Sequence, residues 1–176
     1  MSVLGGKRTL PAPLSFRMNK ELARNLWNMG GGHVIGAEAV VRRAQEWANQ
    51  IKADDPEKAV FNGKYSASIY LLLGYGLELL LKAAFVAHGG DPKQLGSRGI
   101  GHDLGAALKR AHEHGFRSGA PHLNQIVELL QLPHSEHQFR YGGMDEFDLP
   151  ADVDEVLANL SHLASELQVL LFPEGR

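Results

Sequence analysis

The sequence predicts an all-α protein, an up-and-down bundle of four to five helices built around one long buried helix. Residues 64–88 are apolar on nearly every side, whereas the flanking segments repeat apolar residues at spacings of three and four, as amphipathic helices do. No segment alternates apolar and polar residues in the manner of a strand. A chain of 176 residues with 44% hydrophobic content is long enough to bury one such core.

The central helix has recognisable ends and a nearly continuous apolar surface. Asn62 offers a side-chain oxygen to free amides at the start, and Gly89 and Gly90 suit the positive φ that ends a helix. The segment is long enough to cross a bilayer, but the charges of Glu78 and Lys82 would each cost roughly 2.5 to 3.5 kcal/mol at the membrane centre. We therefore expect a soluble bundle with no membrane contact, in which the following residues are fully buried: Leu72, Leu79, Leu80 and Phe85.

Two regions are expected along the chain, an N-terminal arm with a short accessory helix (1–32) and the helical bundle itself (33–176). The accessory helix spans about 16–28, and Gly30-Gly31-Gly32 is expected to break it. Apolar periodicity and end signals then predict helices at 34–52, 64–88, 103–114, 123–132 and from Pro150 to 171. Leu132-Pro133 is expected to end the fourth of these, followed by one helical turn through Arg140 and a loop.

Composition excludes several functions. A formal net charge of −2 and a pI near 6.5 give no global basic field, so a nucleic acid would have to be held by a local patch. The absence of cysteine excludes disulfides, thiolate zinc sites and a cysteine nucleophile. The first residues lack the apolar run of a secretory signal, so we expect a cytoplasmic protein.

The nine histidines do not form a recognisable metal motif. His134 and His137 have the spacing of one helix face, but no paired carboxylate and histidine motif, and no His-Glu-x-x-His, accompanies them. The sequence therefore predicts neither a metal nor a cofactor.

A polar stripe interrupts the apolar central helix. Glu78 and Lys82 are four residues apart with the acid first, the order in which the two side chains meet, and Gly74 lies one turn earlier on the same face. Two interpretations remain open at this point: a buried ion pair that fixes helix packing, or part of a functional site.

Three short motifs give the chain a family resemblance. They are Glu-Leu-Leu-Leu-Lys at 78–82, Gly-His-Asp-Leu at 101–104 and Phe-Arg-Tyr at 139–141. In this order and spacing they resemble HEPN-type proteins (higher eukaryotes and prokaryotes nucleotide-binding), over residues 34–171. The resemblance implies a bundle of four or five helices, a homodimer, and a role in RNA cleavage, nucleotide binding, toxin–antitoxin systems or phage defence, some members being non-catalytic binding modules.

Ribonucleases of that family carry an arginine followed, after four to six residues, by a histidine, and two such motifs meet across the dimer to cleave RNA without a metal. Arg117 and His122 have this spacing here. However, Gly119 and Pro121 would break the helix that should carry the pair. Arg117 and His122 are therefore the weaker alternative for the catalytic residues.

The preferred site joins the three motifs in one polar pocket. His102 and Arg140 are the predicted catalytic residues, since His102 can exchange protons near neutral pH and Arg140 can bind phosphate in a bidentate manner. The remaining members are predicted to bind RNA or a nucleotide, Tyr141 by stacking on a base: Glu78, Lys82, Asp103 and Tyr141. The same residues could instead tie three helices together through buried hydrogen bonds.

Two functions therefore stand open. The first is a HEPN-like protein acting on RNA or nucleotides, with a metal-independent endoribonuclease of a toxin–antitoxin or defence system as its sharpest form. The second is a non-catalytic HEPN-like module that binds a protein or nucleotide partner, such as an antitoxin-like protein.

Overall fold

The computed structural model describes residues 14–96, 98–135 and 153–173, and all regular structure in these ranges is helical. The all-α prediction is therefore confirmed for the described chain. The helices are α1 Leu14–Gln50, α2 Pro56–Asn62, α3 Ser66–Ala87, α4 Leu104–Glu113, α5 Leu123–Ser135 and α6 Val153–Leu171, with a short 3₁₀ turn at Pro92–Leu95.

Helix α3 is the centre of the packing. It contacts α1, α4, α5 and α6, and Leu80 and Phe85 are completely buried as predicted. Leu72 and Leu79 are only partly buried, so that part of the prediction is wrong. Leu72 lies beside Gly36 of α1, where a glycine leaves its side chain less covered than a larger residue would. By length and composition α3 could span a membrane, and 78% of its apolar window is buried inside the protein.

Helix α1 runs unbroken for 37 residues, so the predicted break at Gly30-Gly31-Gly32 is wrong and the boundary drawn after residue 32 falls inside a helix. The reason is tertiary packing. A Cβ on Gly30 would lie 3.1 Å from the carbonyl oxygen of Gly76 in α3, and one on Gly76 would lie 3.1 Å from Val34 in α1. These glycines let the two backbones approach closely, and the burial gained outweighs the weak helix propensity of glycine.

Helix α2 was not anticipated from the sequence. The Asp55 carboxylate accepts a hydrogen bond from the amide of Lys58 at 3.0 Å, and Pro56 occupies the first turn, where its missing N–H costs nothing. Asn62 ends α2, and α3 begins after Tyr65 with no side-chain cap. The predicted cap of α3 by Asn62 is therefore wrong, because Asn62 is the last residue of α2, a separate short helix that precedes α3.

Other end signals behave as predicted. Gly89 follows α3 with a φ of +88°, and Gly115 follows α4 with a φ of +92°. The Asp103 carboxylate caps α4 by accepting a hydrogen bond from the amide of Ala106 at 2.7 Å.

Helix α5 does not end at Leu132-Pro133 as predicted but continues through Pro133 to Ser135. A proline removes only one N–H, and this last turn is fixed by a hydrogen bond from His134 to α3 at 2.6 Å. The extra turn is what brings His134 into the core. The turn predicted through Arg140, like Tyr141, lies outside the described residues.

Helix α6 packs along α1, and its C-terminal half lies against the first half of that helix. The Arg24 guanidinium donates two hydrogen bonds to the carbonyl oxygen of Leu171, at 2.9 and 3.2 Å, and lies 4.7 Å from the Phe172 ring centroid. The indole N–H of Trp27 donates to the carbonyl oxygen of Ala164 at 2.8 Å. These polar contacts hold the C-terminal end of α6 against α1.

Substitutions in the glycine triplet can distinguish the effect of packing on stability from the effect of helix propensity, because neighbouring glycines of α1 differ in what surrounds them. A Cβ added at Gly31 meets nothing within 4 Å, whereas one at Gly30 meets backbone atoms of α3. We expect Gly31→Ala to stabilise the protein by about 0.5 to 1 kcal/mol, and Gly30→Ala to destabilise it by about 1 to 3 kcal/mol through overpacking. Urea unfolding followed by circular dichroism measures both, and equal stabilisation by the two changes would contradict this account of the α1–α3 contact.

Candidate functional site

The polar stripe of α3 forms a buried hydrogen-bonded cluster centred on Glu78. Its Oε1 accepts a hydrogen bond from Lys82 Nζ at 2.6 Å. Its Oε2 accepts two more, from His134 Nε2 at 2.6 Å and from His102 Nδ1 at 3.0 Å. Three parts of the chain thus converge on one carboxylate: the middle of α3, the residues before α4 and the last turn of α5.

A glycine makes room for one of these histidines. A Cβ on Gly74 would lie 2.5 Å from His134 Nδ1, so His134 fills the space that a side chain at position 74 would need. The Tyr75 ring also packs edge-on against the imidazole, with 5.2 Å between centroids. The spacing of Gly74 and Glu78 predicts that they share a helix face, but it does not predict that His134 packs there. In the sequence, a glycine one helical turn before a buried acidic residue is the feature that indicates space for a side chain from another helix.

The carboxylate of Glu78 is ionised at neutral pH. Burial alone would raise its pKa, but hydrogen bonds from His134, Lys82 and His102, together with the charge of Lys82, outweigh burial and hold the pKa at about 2. The Glu78 side chain is only 5% exposed, and that of Lys82 is 10% exposed. A charge this deeply buried is tolerated because three donors surround it.

His102 is the member of the cluster that reaches the surface. Its side chain is 49% exposed, whereas that of His134 is 3% exposed. Gly101 precedes it with a φ of +56°, and the turn places His102 just before α4. Since Nδ1 is directed at Glu78, Nε2 is the ring nitrogen on the side away from the carboxylate.

Asp103 joins α4 to α5 beside this cluster. Besides capping α4, its Oδ1 accepts a hydrogen bond from Gln131 Nε2 at 2.8 Å, and Gln131 Oε1 accepts one from the amide of Gly105. Of the six residues expected to converge, Glu78, Lys82 and His102 are thus in direct contact, and Asp103 adjoins them in sequence with its described bonds directed to α4 and α5. Arg140 and Tyr141 lie outside the described residues.

The weaker alternative, Arg117 with His122, lies in the connection between α4 and α5. Arg117 Nη1 donates to the carbonyl oxygens of His112 and Phe116, at 2.7 and 2.5 Å, at the end of α4. The ring of His122 contacts side chains of α5 and α6: Nδ1 lies 3.0 Å from Gln125 Oε1 and Nε2 lies 3.1 Å from Glu155 Oε1. Both side chains therefore make contacts that tie the connection to its neighbouring helices.

Three potential metal ligands also meet in the cluster. One ligand atom each from Glu78, His102 and His134 lies within 4.8 Å of the other two. They come from three separate elements, so no motif of fixed spacing could have revealed them. The prediction of no metal and no cofactor remains a prediction.

Comparisons of the chain with protein-family models, with curated proteins and with solved structures give no match. The HEPN resemblance therefore remains a prediction carried by the three motifs.

Lys82 supplies one of the three donors to the buried carboxylate. We expect Lys82→Met, which keeps most of the length and the apolar stem, to lower the free energy of unfolding by roughly 3 kcal/mol, the lower end of the range for breaking a buried pair. The lower end is expected because His102 and His134 still bond to Glu78. Lys109→Met, which removes an exposed lysine from α4, is the control. An unchanged urea midpoint for Lys82→Met would show that the pair does not stabilise the fold.

The pKa of Glu78 makes stability depend on pH. Because folding lowers this pKa from 4.5 to about 2, the stabilisation is complete above pH 4.5 and is lost as the pH falls toward 2. We expect the stability difference between the wild type and Glu78→Gln to shrink by about 3 kcal/mol over this interval. Urea unfolding at pH 7, 4.5, 3 and 2 measures it, with Glu128→Gln as an exposed control. A difference that does not change with pH would contradict the assignment.

Proposed function

We propose that this protein is a cytoplasmic, HEPN-like up-and-down helical bundle that acts on RNA or nucleotides, with His102 as the residue that exchanges protons. One observation carries the proposal: a half-exposed imidazole is held through Nδ1 by a buried, ionised carboxylate, 3.0 Å away. A carboxylate in this position orients the ring and stabilises the charge that the ring gains when it accepts a proton.

The reaction that suits this pair is metal-independent cleavage of RNA. His102 Nε2 accepts the proton of a ribose 2′-hydroxyl, whose oxygen then attacks the adjacent phosphorus. The bond from phosphorus to the 5′-oxygen breaks, leaving a 2′,3′-cyclic phosphate on one product. The 5′-oxygen takes a proton from water and becomes the 5′-hydroxyl of the other product, and His102 returns its proton to the solvent. His102 is suited to the first proton transfer because it is the most exposed of the residues bonded to Glu78.

The remaining predicted residues take different parts in this proposal. Lys82 is 10% exposed and bonded to Glu78, so its role is to hold the carboxylate ionised rather than to bind phosphate directly. Arg140 and Tyr141 keep their predicted roles in binding phosphate and stacking on a base, as contributions from outside the described residues.

The second candidate is a non-catalytic HEPN-like module that binds a protein or nucleotide partner. The contacts of Arg117 and His122 favour it, because both side chains tie the α4–α5 connection to neighbouring helices. In either form we propose a homodimer, with an antitoxin-like protein as the partner to look for.

Cleavage of RNA in the presence of EDTA distinguishes the two candidates. We expect the purified protein to convert labelled single-stranded RNA into products with cyclic phosphate ends, and His102→Ala to slow this by about 100-fold or more. His162→Ala is the matched control, because His162 is also about half exposed and contacts a glutamate, Glu166, at 3.2 Å.

Binding of the same RNA is measured in parallel by fluorescence anisotropy. Binding without cleavage, unaffected by His102→Ala, would overturn the catalytic proposal in favour of the binding module. Equal loss of cleavage in His102→Ala and His162→Ala would show that His102 has no special role.

A further inference from the structure

We propose that Glu78 Oε2, His102 Nδ1 and His134 Nε2 form a binding site for a divalent transition metal, with zinc as the best match. The inference rests on how these atoms are placed, and it does not require the protein to cleave RNA.

The three atoms have the separation that a small ion can bridge. All lie within 4.8 Å of one another, and Glu78 Oε2 is the shared acceptor for both imidazoles. Zinc binds imidazole nitrogen and carboxylate oxygen at about 2.0 to 2.2 Å. A zinc ion among these atoms would replace two hydrogen bonds by three coordination bonds. Two histidines and one glutamate with a fourth position open is a donor set that proteins use for zinc.

Two of the ligands are already fixed in position. His134 of α5 is buried in the space left by Gly74 of α3, and Glu78 lies one turn after Gly74 in α3. His102 is half exposed, and it therefore provides the side from which an ion enters. A site with two rigid ligands and one at the surface loses little conformational entropy when it closes around an ion.

Lys82 sets the affinity without blocking the site. It contacts Oε1, the carboxylate oxygen that is not shared by the histidines. Its positive charge repels a cation nearby, so it weakens binding. We therefore expect Lys82→Met to bind zinc more tightly than the wild type, and zinc to restore part of the stability which that substitution removes.

The types of ligand atom determine which metals the site favours. Two nitrogens and one oxygen suit zinc, copper or nickel, whereas magnesium and calcium prefer oxygen ligands. Zinc at His102 Nδ1 would also replace the hydrogen bond to Glu78. If His102 is the proton-exchanging residue proposed above, zinc is then an inhibitor of that reaction; this consequence, unlike the site itself, depends on the proposed function.

The site is tested by titrating zinc chloride into the full chain, stripped with EDTA and desalted, in a calorimeter. We expect one zinc per chain, a rise in melting temperature with zinc, and no response to magnesium chloride. His102→Ala should weaken zinc binding by about tenfold or more, equivalent to about 1.4 kcal/mol. His162→Ala, which removes a comparably exposed histidine bonded to one glutamate, should bind zinc as the wild type does.

A second measurement reports on the coordination itself and avoids replacing a buried ligand, which could also disturb folding. Cobalt(II) added to the wild type should give the absorption bands of a four-coordinate nitrogen and oxygen site, and His102→Ala should lose them. Absence of zinc binding by the wild type, or equal binding by the wild type and His102→Ala, would overturn the proposal. Neither result bears on RNA cleavage, which is assayed in EDTA.

Discussion

The arrangement of this protein depends on one constraint, the need to surround an ionised carboxylate inside an apolar helix. Glu78 cannot remain charged in the core without donors, and the donors come from its own helix, from the residues before α4 and from the end of α5. Meeting that requirement places His102 in the turn before α4, holds the last turn of α5 beyond Pro133 and demands a glycine at position 74. A polar contact thus sets the register of helices whose packing is otherwise apolar.

Local chemistry made much of this predictable. The pairing of Glu78 with Lys82 follows from a spacing of four within one helix, and the cap by Asp103 follows from its own position before α4. The continuity of α1 and the burial of His134 were not predictable in this way. Both depend on what α3 presents to another segment: a glycine at position 76 against α1 and a glycine at position 74 against α5. Sequence periodicity describes one helix at a time, so it does not reveal that two glycines are paired across a contact.

A structural role and a chemical role for the Glu78 cluster are compatible, because its members differ in depth. The buried members hold the helices together, while His102 carries the same carboxylate's influence to the surface. In the proposed reaction the two roles use different atoms of His102, Nδ1 toward Glu78 and Nε2 for the proton transfer. A cluster built in this way places His102 on a part of the fold with little freedom to move, since α3, α5 and the turn before α4 meet at the carboxylate behind it.

The clasp between Arg24 and Leu171 joins positions 147 residues apart in the chain. The entropic cost of closing a loop grows only slowly with its length, so the long separation of the two residues adds little to the free-energy cost of folding. The order of synthesis has a different consequence, because α1 emerges from the ribosome well before α6 has been synthesised. Throughout that interval the side of α1 around Arg24 and Trp27 is not covered by α6, and water or another surface must meet it. We therefore expect nascent chains of this protein to be prone to aggregation or chaperone binding until α6 docks.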